Sequence, residues 1–119
     1  MTLPAEYASF ERTVARALRA ADPAAALRTA ADDRTLPDDL RAALRRAAPD
    51  GVRLAALLVA RLRFERLMRG SDRAAERFER DPRGFADAFR RYHAEVAPTA
   101  FLPRDEARLF EGWWSDAER

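Results

Sequence analysis

Val52-Arg53-Leu54-Ala55-Ala56-Leu57-Leu58-Val59-Ala60-Arg61-Leu62-Arg63-Phe64-Glu65-Arg66-Leu67-Met68-Arg69-Gly70 is the stretch that decides the fold. It lies in the longest span between prolines and is the richest in branched apolar side chains. Wound as an α-helix, it puts Leu54, Leu57, Leu58, Leu62, Phe64 and Met68 on one broad face, with Val59 and Leu67 off it. A helix apolar over so much of its circumference belongs inside a protein. The pattern therefore predicts a central helix over about residues 52–69, with the others packed around it.

Moving towards the N-terminus, Pro49-Asp50-Gly51 reads as a turn. Thr35 and Asp38 have the form of a capping box for a helix that turns Leu36, Leu40 and Leu44 inward. Asp32-Asp33-Arg34-Thr35 is a loop. Pro23 opens a short alanine-rich helix carrying Leu27, with Asp22 as its cap. A first helix, from about Pro4 to Ala21, has Tyr7, Phe10, Val14 and Leu18 at spacings of three and four.

On the other side, Gly70 is placed to end the central helix in a left-handed conformation. Ser71 to Arg80 makes a short helix that contributes Phe78. Asp81-Pro82 starts an amphipathic helix with Phe85, Phe89, Tyr92 and Val96 on one stripe. Ala97-Pro98-Thr99-Ala100 breaks it. Pro103 opens the last helix, to about Asp116, with Leu109, Phe110, Trp113 and Trp114. Valine and threonine are few and isoleucine is absent, so no segment reads as a strand. The expected fold is all-α: a single domain over residues 1–119, built as a compact bundle of six or seven short helices around the central one.

Composition narrows the chemistry. There is no cysteine, which excludes disulfides, thiolate metal sites and cysteine nucleophiles, and suits a reducing cytoplasm. Arginines interrupt every apolar run below membrane-spanning length, and the first residues lack the basic and apolar regions of a signal peptide. All 22 basic residues are arginine, against 20 acids, for a net charge of +2. The two signs are unevenly spread, and residues 41–80 carry 11 arginines against five acids. A basic middle between acidic ends suits either self-complementary packing or an acidic partner.

Candidate catalytic and metal residues are scarce. His93 is the one histidine; beside the apolar stripe of its helix, it reads as a half-exposed group bonded to a neighbouring acid. Asp32-Asp33 and Asp38-Asp39 read as loop and helix-start acids rather than ligands. Ser9, Ser71 and Ser115 lack a nucleophile-elbow context, and no glycine-rich phosphate loop exists. The expectation is no catalytic residue, no metal site and no cofactor. Residues 72–96 can be drawn as a helix–turn–helix presenting Arg83, Asp87, Arg90 and Arg91. Acids interleave with those arginines, so nucleic acid is the lesser reading.

Two features point to a partner. Arg61 and Glu65, four residues apart, interrupt the apolar face of the central helix. They form either a buried network with groups such as Tyr92, Asp81 or Arg77, or part of a face open to a docking protein. In the last helix, Leu109/Trp113 and Phe110/Trp114 form two rows too wide apart to be covered by one neighbour. Phe110 and Trp114, with arginines of the basic middle, are therefore expected on a partner surface; the alternative is that Trp114 only lies over the apolar stems of nearby arginines.

The run Phe78-Glu79-Arg80-Asp81-Pro82-Arg83-Gly84-Phe85, then Phe89-Arg90-Arg91-Tyr92-His93, then Pro98 and Phe101-Leu102-Pro103-Arg104-Asp105-Glu106-Ala107-Arg108-Leu109-Phe110, resembles a known family. Its members are small helical accessory proteins encoded beside multinuclear non-heme iron-dependent oxidative enzymes that modify ribosomally made peptides. The resemblance covers about the last 40 residues. It implies a heterodimer in which the enzyme holds the irons and the small partner helps engage the precursor peptide. It implies no catalytic residue here. The winged-helix recognition domains of such systems use an edge strand, for which this chain has no candidate. The expected function is thus a non-catalytic partner subunit that binds an enzyme, its substrate peptide or both; the alternative is a basic helical nucleic-acid-binding or regulatory protein.

Overall fold

The computed structural model describes residues 5–119, and these form seven α-helices and no strand. They are α1 (Ala5–Leu18), α2 (Pro23–Ala30), α3 (Asp38–Arg46), α4 (Pro49–Gly70), α5 (Asp72–Arg80), α6 (Pro82–Glu95) and α7 (Pro103–Ala117). Pro4, expected to open the first helix, lies outside the described residues. The fold is all-α, as the spacing of apolar residues predicts. Proline stands at the first turn of α2, α6 and α7, where its missing N–H costs nothing. Asp22 and Asp81 cap α2 and α6, accepting from Ala25 N and Gly84 N, both at 3.1 Å.

The chain forms two compact units, residues 1–59 and 60–119. In the first, α1, α2 and α3 pack around Ala17, Leu27, Ala31, Leu36, Leu44 and Val52. Arg41 Nε donates to Ala31 O at 2.8 Å, satisfying a carbonyl just past the end of α2. Thr35 does not cap α3, which has no side-chain cap. Its N–H and hydroxyl instead donate to Asp33 Oδ1 at 2.9 and 2.7 Å. Those two bonds favour the ionised carboxyl and hold its pKa below the usual 3.8.

In the second unit, α5, α6 and α7 gather around Leu67, Ala74, Phe85, Phe89, Tyr92 and Phe110. The aromatic stripe expected for α6 is inward: Phe85, Phe89 and Tyr92 are buried and Val96 is partly so. Rings meet edge-on, as Tyr92 with Phe110 at 5.0 Å and Phe64 with Phe89 at 5.2 Å.

Helix α4 belongs to both units, and its facing is the reverse of the expected one. Val52, Arg63 and Leu67 are buried, whereas Leu54, Leu57, Leu58 and Leu62 are exposed. Of the face expected inside, only Phe64 and Met68 pack against a core. The opposite side of α4 is also apolar, with Val52, Ala56, Val59 and Leu67, so either side could be buried. Pro49-Asp50-Gly51 is the first turn of α4 rather than a separate turn.

Gly70 does not adopt a left-handed conformation; no glycine among the described residues has positive φ. Its requirement is space. A Cβ there would lie well inside contact distance of the Pro103 carbonyl oxygen and carbon, which are backbone atoms and cannot swing away. Gly112 in α7 has nothing nearby. Gly70→Ala should therefore destabilise by about 1–3 kcal/mol through overpacking. Gly112→Ala should stabilise by about 0.5–1 kcal/mol through helix propensity. Thermal melts of the two variants should shift in opposite directions; a rise for Gly70→Ala would show that α7 yields freely at Pro103.

Candidate partner-binding surface

The outward side of α4 carries Leu54, Leu57, Leu58 and Leu62 with 58, 68, 52 and 58 % of their surface exposed. Helical spacing sets Leu54, Leu58 and Leu62 in one row and Leu57, Arg61 and Glu65 in the next. Arg61 Nε meets Glu65 Oε1 at 3.2 Å, with the two side chains 78 and 45 % exposed. The pair is thus a solvated ion pair on an apolar helix face and takes no part in a buried network. Of the two readings open for Arg61 and Glu65, the buried one is excluded.

The other two expected partner residues separate. Phe110 has no exposed surface, so it is core and forms no part of a docking face. It touches Phe85, Tyr92, Trp113 and Trp114, with ring centroids 5.0 to 5.9 Å away. Phe85 and Tyr92 of α6 cover Phe110, so the row it shares with Trp114 is buried at one end and partly open at the other. Trp114 stays half-buried. One part of its ring packs on Phe85 and Phe110. The guanidinium carbons of Arg73 and Arg77 lie 5.6 and 5.3 Å from its centroid. Trp113, also half-buried, donates its Nε1–H to Glu95 at 2.9 Å.

A buried ionic network does exist and includes Tyr92, as one reading expected, but its charged pair is Arg63 and Glu106, to which the sequence alone assigned no such role. Arg63 and Glu106 are 1 and 0 % exposed and meet at 3.0 Å through Nε and Oε1. Arg66 adds a contact to the same oxygen at 3.4 Å. The Tyr92 hydroxyl donates to Glu106 Oε2, and the Arg63 guanidinium carbon stands 4.3 Å from the Tyr92 ring centroid. Arg63 Nη1 donates to Val96 O at 2.6 Å and meets His93 Nδ1 at 3.3 Å. A guanidinium only donates, so Nδ1 is the acceptor. His93 is accordingly buried, not half-exposed, and its ring stacks on Phe89 at 5.9 Å. It bonds an arginine where an acid was expected.

This network joins α4, α6, the turn after α6, and α7. Arg63, Tyr92, His93 and Glu106 are buried while Arg66 keeps 27 % of its side chain exposed, so the centre of the network braces the unit. Burial and the bond to Glu106 push the Tyr92 hydroxyl well above its ordinary pKa of 10.0. Above that value an unfolded chain loses this proton while the folded one keeps it, so stability falls as pH rises beyond about 10. Tyr92→Phe should flatten that part of the pH–stability curve. An alkaline slope unchanged in the variant would show that Tyr92 does not set it.

Among the described residues, no group of three or more His, Asp or Glu side chains could hold a metal ion. No helix there is long and apolar enough to cross a membrane. Comparison with protein-family models, curated proteins and solved structures finds no match.

Proposed function

We propose that this chain is a non-catalytic partner subunit that docks another polypeptide on the outward face of α4. The observation that carries the reading is the set of four leucines on one helix, each more than half exposed. Single exposed leucines are ordinary, but a contiguous row rimmed by charge marks a surface used for association. Arg61 and Glu65 form that rim. Their exposure keeps the desolvation cost of docking low and lets them select register.

The resemblance of the last third supplies the class of partner: an iron-dependent oxidative enzyme that modifies a ribosomal peptide, with its precursor peptide. A cysteine-free chain suits the cytoplasm, where such enzymes meet their substrates. The test is co-expression with the product of each adjacent gene, followed by mass measurement on a sizing column and amide hydrogen exchange. A stoichiometric complex in which the amides of residues 54–65 exchange more slowly is the expected result. A complex that leaves those amides unchanged, or no complex at all, overturns the proposal.

A further inference from the structure

Helix α5 sorts its charges. Arg73, Arg77 and Arg80 follow at spacings of four and three along one side. Asp72, Glu76 and Glu79 occupy the adjacent side. Arg73 and Arg77 are like charges four apart, a pairing that by itself disfavours a helix. Arg73 and Arg77 are exposed, and among the described residues neither forms an ion pair. What both have is Trp114, with their guanidinium carbons 5.6 and 5.3 Å from its centroid. The ring is itself anchored on Phe85 and Phe110 at 5.9 and 5.0 Å.

We propose that Arg73 and Arg77, held on Trp114, are a carboxylate-binding clamp that takes an Asp or Glu side chain of the partner polypeptide. A guanidinium resting on an aromatic face has already lost much of its rotamer freedom, while its N–H edge remains free for a planar oxyanion. Both guanidinium carbons lie within 6 Å of the same ring, so the two side chains are gathered at one place on the surface, where a carboxylate can accept from both. The acids on the adjacent side of α5 decide between polyanions. A nucleic-acid backbone running along the helix would meet Glu76 and Glu79 in succession, whereas a single carboxylate needs only the one place where Arg73 and Arg77 gather. The identity of the occupant rests on the partner-subunit reading; the clamp does not, because it is tested with free peptide.

The test is a two-dimensional NMR titration of the full chain at low salt. It follows the Trp114 indole N–H and the arginine Nε–H signals, with a short glutamate homopeptide as probe and its glutamine counterpart as control. The expected result is saturable shifts at Trp114, Arg73 and Arg77 with the glutamate peptide alone. The double variant Arg73→Gln, Arg77→Gln should weaken binding about tenfold or more. Arg90→Gln with Arg119→Gln removes the same charge from exposed sites elsewhere and should change affinity by no more than about twofold. Equal losses in the two double variants would reduce the effect to general charge attraction and overturn the proposal. So would still signals at Trp114, or tighter binding of a thymidine oligonucleotide of equal length through the same residues.

Discussion

Glu106→Ala is expected to cost about 3–5 kcal/mol, a large part of the ~5–15 kcal/mol that holds a typical domain folded. The carboxylate has no exposed surface and serves Arg63, Arg66 and Tyr92 together. Removing it leaves Arg63, 1 % exposed, with a buried charge and only carbonyls and His93 Nδ1 as acceptors. It also deprives the Tyr92 hydroxyl of its acceptor. Urea unfolding of the variant measures the loss. The companion Arg63→Met, Glu106→Leu removes both charges and should recover much of it, since an apolar pair of similar volume escapes the desolvation penalty. A loss under about 1 kcal/mol in Glu106→Ala would mean that water reaches Arg63 and that the network is not a brace.

Leu58→Asp is the second large effect, and it appears in binding rather than in folding. Leu58 stands 52 % exposed in the row between Leu54 and Leu62. A carboxylate there remains hydrated in the free protein, so the melting temperature should stay within a few degrees. In the complex the same group would be buried against apolar surface. The association should weaken by about 2 kcal/mol or more, roughly thirtyfold. Calorimetric titration against the co-purified partner reads this directly. A collapsed melt with an intact dissociation constant would assign Leu58 to the interior and remove α4 as the docking face.

The two variants also mark what can be read from a chain of this composition. Helices that begin at a proline and carry one clean stripe are legible. In α6, Phe85, Phe89 and Tyr92 turn inward because the rest of that helix is charged or small. Helix α4 is legible as a helix but not in its facing. Leucines lie on one side and Val52, Val59 and Leu67 on the other, so periodicity does not choose between them. What decides it is Arg63. It goes inside because Glu106, 43 residues away, and Tyr92 meet it there. Long-range polar partnership has no local signature, so the sequence leaves Arg61 and Glu65, four apart, open to both a buried and an exposed reading. In α7 the sequence shows a broad aromatic stripe. Which of its residues are covered depends on the elements packed against it, and Phe110 is core while Trp114 of the same row is half-buried.

The division between the two compact units falls after Val59, inside α4. Multidomain chains usually hand a protease an exposed loop at such a point. Here trypsin or thermolysin would have to open a helix before cutting at that point. Cutting the gene at the same place would leave residues 49–59 as a fragment below the roughly 12–15 residues an isolated helix needs.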